Sequence, residues 1–267
     1  MSEYQTILYE RHDHVARIIL NRPQQKNAQS RLLLEELDAA FAAAVADDNI
    51  HVIVLAGAGE HFSSGHDLGT AEERDDALRR PYPEGPEGEY ERSVTLFVDF
   101  CLRWRELPKP TIAEVQGFCI FGGFMIATVM DFIVASDDAM FLPSHLQLFT
   151  APWVLGPRKT KEILYEGRFI PAAEGLALGL VNRVEPRDGL TASVMAQARR
   201  ISESGPFRLR IMKRSTNQAE DAMGYRVATQ SAHGNYMILQ NGGRVRQGDE
   251  TQLSGVGRAL KLLQDGN

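Results

Sequence analysis

The sequence predicts an α/β fold, and three observations carry that prediction. Short apolar, β-branched runs alternate with segments of helical periodicity, as interleaved strands and helices do in an α/β domain. Glycine-rich turns follow two of the strands. From about Asp188 onward the pattern is mainly helical, which predicts a core over residues 1–190 and a helical C-terminal region over 191–267.

In order, Thr6–Tyr9 and Val15–Leu20 alternate around the polar turn Arg11–His14 and read as a hairpin. Ser30 is placed to cap a helix running to Ala46, whose apolar residues Leu33, Leu34, Leu37, Phe41, Ala44 and Val45 share one face. His51–Ala56 reads as a buried strand ended by Gly57-Ala58-Gly59. Arg92–Glu106 reads as a helix broken by Pro108-Lys109-Pro110. Thr111–Val115, Phe132–Ala135 and Val181–Val184 read as further strands, and Gly122–Met130 as a buried helix. The segment 70–92 has acidic residues and then prolines and glycines without apolar periodicity, which predicts a mobile surface excursion.

Composition narrows the function. The 267 residues are 43% hydrophobic and 24% charged, an ordinary soluble balance, and the net charge of −6 disfavours nucleic acid or a membrane surface as partner. The N-terminus lacks an apolar signal core, and the longest apolar run, Cys119 to Met130, is short of the ~20 residues of a membrane span. Cys101 and Cys119 form no metal or disulfide pattern and fit reduced thiols in a cytoplasmic protein. No metal set is predicted, and Gly57-x-Gly59 lacks the rest of a dinucleotide fingerprint.

Two turns carry candidate chemistry. In Phe62-Ser63-Ser64-Gly65-His66-Asp67-Leu68, small residues let the backbone turn sharply toward a ligand. In Gly117-Phe118-Cys119-Ile120-Phe121-Gly122-Gly123, a strand gives way to a helix whose first N–H groups are unbonded. Two N–H donors converging on one carbonyl stabilise an oxyanion; glycine turns at strand–helix junctions are also commonly structural.

These turns, with Asn21-Arg22-Pro23, Asn27-Ala28, the run Pro108–Ala113, Asp131 and the run Ala173–Asn182, resemble the crotonase (enoyl-CoA hydratase/isomerase) superfamily in order and spacing over roughly residues 5 to 215. The resemblance implies a spiral of β-β-α units, a C-terminal helical region used in assembly, and a homotrimer or hexamer. It implies an acyl-CoA substrate, with coenzyme A entering as part of that substrate and no separate cofactor. It implies an oxyanion hole from the backbone N–H groups of His66 and Gly122. Ala28 and Ser64–His66 would hold adenine and pantetheine, with Asp67 and Leu68 on the same wall and Arg22 and Lys26 facing the phosphates. Asp67 also reads as the cap of the following turn.

The sequence departs from the family's hydratases at both acid–base positions. Met125 stands where the first glutamate belongs, and His145 where the second does, in Phe141-Leu142-Pro143-Ser144-His145. A methionine moves no proton, whereas imidazole titrates near neutrality, which makes His145 the candidate acid–base group. Phe121 and Met125 are candidate acyl-pocket walls. The expected activity is acyl-CoA chemistry through an enolate: C–C hydrolysis, decarboxylation or isomerisation. The alternatives are a catalytically silent acyl-CoA binding protein, and a hydratase drawing its acid and base from Glu72, Glu84 or Glu87.

Overall fold

The computed structural model describes residues 4–244 and 255–265. The remainder of the predicted C-terminal region, 245–254 and 266–267, lies outside the described residues, as do residues 1–3.

Strands β1 (Ile7–His12) and β2 (Val15–Leu20) form the predicted hairpin, with Asp13 at φ 52° in its turn. After α1 (Arg31–Ala46), strand β3 (Val52–Gly57) lies parallel to β2. Ser30 accepts a hydrogen bond from Leu33 N–H, the predicted cap. Strands β4 (Thr111–Val115), β6 (Phe132–Ser136) and β9 (Arg183–Glu185) complete a six-stranded sheet in the order β1-β2-β3-β4-β6-β9. The inner strands β2, β3, β4 and β6 are mostly apolar and buried because both faces are covered, whereas the edge strands β1 and β9 are more polar. Ile53, Leu55, Ala113 and Ala135 face a core with Leu33, Phe41 and Trp104. Their alternates Val52, Val54, Ile112 and Val134 pack under Leu190, Val194 and Ala198 of a helix at Leu190–Ser202. That helix therefore belongs to the core, and the helical tail begins structurally after it.

A second sheet of three short strands, β5 (Phe118–Ile120), β7 (Met140–Leu142) and β8 (Ile170–Pro171), escapes the sequence reading because each strand is too short to show a period.

The expectation for 70–92 is corrected. The segment forms helices α2 (Ala71–Arg79) and α3 (Pro86–Ser93). Thr70 caps α2, Glu72 and Glu73 occupy its first turn, and Pro86 opens α3. Ion pairs attach them: Glu72 to Arg22, Glu73 to Arg92, Asp76 to Arg31 and Arg80 to Glu35. Apolar periodicity is absent because charge, not an apolar face, docks these helices. Helix α3 runs through a π-helical turn, Val94–Asp99, into α4 (Phe100–Arg105).

Helices α5 (Gly122–Thr128), α6 (Ala151–Leu155), α7 (Pro157–Glu166) and α8 (Ala172–Leu178) lie between the strands. The core helix Leu190–Ser202 is α9. Beyond it come α10 (Pro206–Ala222), α11 (Tyr225–Arg244) and α12 (Gly255–Gln264). Val256, Ala259 and Leu260 of α12 pack over Ile120 and Leu142 of the small sheet and over Phe169, which precedes β8.

Candidate active site

The chain after β2 prepares the site. Lys26 and Asn27 are held at φ 50° and 53°, and the fully buried Asn27 side chain accepts from Arg22 N–H and donates to the carbonyls of Ala58 and His61. The Phe62–Leu68 turn is then stitched on both sides. Ser64 N–H donates to Lys26 O, Gln29 N–H to Gly65 O, and Asp67 N–H to Gln29 O. On the other side Ser63 N–H donates to Phe118 O and Ile120 N–H to Ser63 O. His66 N–H, between these bonds, makes none among the described residues.

The second turn abuts the first. Phe121 sits at φ 49° and ψ −104°, a strained conformation for a residue with a side chain, anchored by its N–H on Leu142 O at 2.9 Å. Gly122 N–H, the first of α5, has no partner among the described residues. A Cβ on Gly65 would stand 3.1 Å from Gly122 N, and one on Gly122 would stand 2.5 Å from Gln29 Oε1 and 2.6 Å from His66 Nδ1. The glycines are thus required by contact between the turns, which brings two unused N–H donors together.

The His66 imidazole is partly buried beside Phe97 of the π-turn, with ring centroids 3.9 Å apart. Burial pushes its pKa down to about 4, so the ring is neutral near pH 7. Its Nδ1 lies 3.2 Å from Gln29 Oε1 and its Nε2 3.0 Å from Oε1 of Gln147. A neutral ring donates from only one nitrogen. The Ser63 hydroxyl gives its proton to Asn27 O and so accepts from Gln29 Nε2, which fixes Gln29 with its oxygen toward the ring. Nδ1 therefore carries the proton and Nε2 accepts. A half-turn of the Gln147 amide meets that demand, offering NH2 to Nε2 and oxygen to the Tyr236 hydroxyl, 3.1 Å away. The chain Tyr236–Gln147–His66–Gln29–Ser63 then donates in one direction throughout. His66 spends both nitrogens on holding its own turn.

A cavity of about 520 Å³ opens beside this turn and brings together Lys26, Ala28, Ser64, His66, Asp67 and Leu68, with Val256 and Leu260 of α12 across from them. Leu68 is almost fully exposed at 98%. Arg22 lines no part of it. Arg22 is buried and bonded to Ala28 O, Thr70, Glu72 and, at 2.9 Å, Asp67. Burial alone would raise the Asp67 pKa. Hydrogen bonds from Thr70, Gly69 and Arg22 instead hold its carboxyl below the usual range. Lys26 is the cation this cavity receives.

A second cavity, of about 200 Å³, lies on the far side of His66. The residues that clasp the imidazole, Phe97 and Gln147, line it together with Arg92, Ser93, Glu89 and Tyr236. His145 lines neither cavity. Its half-buried ring packs on Phe149 at 4.7 Å, its Nδ1 is buried without a hydrogen-bond partner, and burial lowers its pKa. Met125 is enclosed in the main core, and Phe121 packs with the cluster under α12, so neither lines the second cavity. Sequence reasoning missed Gln147 and Tyr236; nothing in the sequence signals that a glutamine in an irregular loop and a tyrosine on α11 meet one imidazole.

Among the described residues no cluster of His, Cys, Asp and Glu suits a metal ion, and no helix is long and apolar enough to cross a membrane.

The family model described as enoyl-CoA hydratase/isomerase matches residues 10–241. A Mycobacterium tuberculosis protein named "Putative enoyl-CoA hydratase EchA13" is 40% identical over 249 residues, covering 85% of this chain and 78% of that protein. A crystal structure of a probable enoyl-CoA hydratase from Mycobacterium smegmatis superposes with a TM-score of 0.83 at 39% identity, covering 91% of this chain and 97% of that one. An enoyl-CoA hydratase/isomerase from Xanthobacter autotrophicus Py2 gives a TM-score of 0.81 at 35% identity, covering 89% and 88%. With a glycine-enforced pair of free N–H groups at its centre and this match over most of its length, the chain belongs to the enoyl-CoA hydratase/isomerase family of the crotonase superfamily.

Proposed function

We propose that the protein is an acyl-CoA enzyme that holds the thioester carbonyl between the N–H groups of His66 and Gly122 and stabilises the enolate formed there, without the two-glutamate apparatus of a hydratase. The observation that carries this reading is the pair of unbonded donors in two turns that touch at Gly65 and Gly122. Backbone donors fixed before reaction need no reorganisation as charge develops on the oxygen, and one such donor contributes about 3 kcal/mol. Lys26 would meet the CoA phosphates, Ala28, Ser64 and Leu68 the pantetheine arm, and the acyl group would point past His66 into the smaller cavity. Arg22 and Asp67 shape that wall through their mutual ion pair.

The hydratase glutamate position holds Met125, sealed in the core at 2% exposure, so it offers no proton. His145 remains a candidate acid–base group only if its loop opens, since its ring faces Phe149. A second reading has its own observation: Glu89 of α3 lines the smaller cavity and is placed to serve there as acid or base.

Two measurements test the proposal. Exchange of the α-protons of butyryl-CoA in D2O, followed by NMR, reports enolate formation. Loss of the conjugated thioester absorbance of crotonyl-CoA reports hydration. Exchange without hydration is the expected pattern, the α-proton passing to solvent base and a deuteron returning to the enolate. Rapid hydration abolished by Glu89→Gln supports the second reading. Thioester binding with neither reaction would leave a silent acyl-CoA binding protein.

A further inference from the structure

The smaller cavity is unlike a socket for a hydrocarbon chain. Apart from Phe97 and Met237, its wall is made of Glu89, Arg92, Ser93, Gln147, Tyr236 and Gln240. Resting on the reading that the acyl group extends past His66, we propose that this cavity is a subsite for a short acyl chain bearing a neutral distal oxygen, a ketone or hydroxyl, in preference to a plain hydrocarbon or a carboxylate.

Size sets the length. At about 30 Å³ per water-sized group, 200 Å³ accommodates roughly six or seven non-hydrogen atoms, which excludes a long fatty chain. The wall sets the polarity. Burying a methylene chain there would strip water from the Arg92 guanidinium, the Tyr236 hydroxyl and two amides while returning no hydrogen bond. Charge then separates a ketone from a carboxylate. Arg92 is already paired with Glu73 at 3.0 Å and stacked over Phe97, and Glu89 stands in the same wall. One cation against two carboxylates leaves no surplus positive charge for an anionic acyl end. The other polar groups are neutral: Ser93 is bonded to His233 Nε2 at 2.8 Å, and Gln147 to Tyr236. The Gln147 N–H not given to His66, the Gln240 amide and the Arg92 guanidinium suit an oxygen that accepts without carrying charge.

The test is calorimetric titration of the intact protein with three CoA thioesters: hexanoyl, 5-oxohexanoyl and glutaryl. The 5-oxo compound is expected to bind about tenfold more tightly than hexanoyl-CoA, and glutaryl-CoA more weakly than the 5-oxo compound. Arg92→Gln and Gln240→Leu should each reduce the advantage of the ketone; the Gln240 variant serves if loss of the Glu73 pair unfolds the arginine one. Equal or tighter binding of hexanoyl-CoA overturns the polar subsite while leaving the oxyanion turn intact. Tightest binding of glutaryl-CoA overturns the charge argument. If no thioester binds, the reading of the turn itself falls, and this inference with it.

Discussion

The paired turns at 62–68 and 117–123 and the flanking stretches at 70–93 and 143–150 border the same site, yet they are built on different physics. In the turns the unbonded groups are backbone N–H donors, and sequence is fixed there by exclusion: a Cβ on Gly65 would stand 2.9 Å from Ile120 O and 3.1 Å from Gly122 N. In the flanks the groups that line the smaller cavity are side chains such as Glu89, Arg92 and Gln147, whose direction depends on the path of the chain. The comparison teaches that this scaffold fixes backbone groups in the turns by steric exclusion and side-chain groups in the flanks by the path of the chain.

The sharpest way to break that comparison is Gly122→Ala. The added methyl would lie 2.5 to 2.7 Å from the Gln29 amide oxygen and the His66 ring, so those side chains must shift and strain the turn they hold. Turnover, or α-proton exchange in D2O, is expected to fall about 10²–10³-fold, the scale of one lost oxyanion donor. Unaltered exchange would mean that the backbone pair is not the reactive centre.

Next in size is the pH dependence of stability carried by His66. Above pH 6.5 its ring is neutral in both folded and unfolded chains, and its packing contributes in full. As pH falls below 6.5 the unfolded ring takes up a proton that the folded one refuses until about pH 4, so stability is lost through that window. A pKa lowered from 6.5 to about 4 corresponds to roughly 3 kcal/mol at most. Burial lowers the pKa of His61, His145 and His233 as well, with the same sign. Urea melts of the protein and of His66→Asn between pH 7 and 4.5 isolate the share of His66: the variant should show the shallower decline.

A third prediction separates Gln147 from His145. Gln147→Leu strands His66 Nε2 in a buried site and should cost about 1–3 kcal/mol, with turnover reduced roughly 10–100-fold. The imidazole ¹⁵N shifts, which report the tautomer, should change with it. His145→Ala should reduce turnover by less than Gln147→Leu, because its ring lines neither cavity. The reverse order would restore His145 as the acid–base group.

How much was legible follows the same division. The glycines at 65 and 122, the Ser30 cap and the strands β2, β3, β4 and β6 declare themselves because sterics and burial leave one answer at each position. Arg22 read as a cation for phosphate, since a sequence does not show that Asp67 and Glu72 fold onto it. His145 read as the acid–base group because it stands where the family's hydratases carry their second glutamate. In the structure the loop presents Gln147 to His66 instead, two residues on, where no periodicity tells which side chain turns inward.

The smallest effect concerns α2, the element the sequence pattern hid. Thr70 both accepts from Glu73 N–H, capping the helix, and donates to Asp67 Oδ2 at 2.7 Å, tying it to the 62–68 turn. The helix buries no residue, so the cap and its ion pairs are what hold it, and exposed pairs such as Arg80–Glu35 contribute little singly. Thr70→Ala should therefore cost about 1 kcal/mol, felt locally. Amide exchange over 71–79 should quicken several-fold, while exchange in β3 and β4 stays the same. A matching rise in the sheet would show that α2 is coupled into the core, and the division between fixed turns and adaptable flanks would then have to be redrawn to place this helix with the turns.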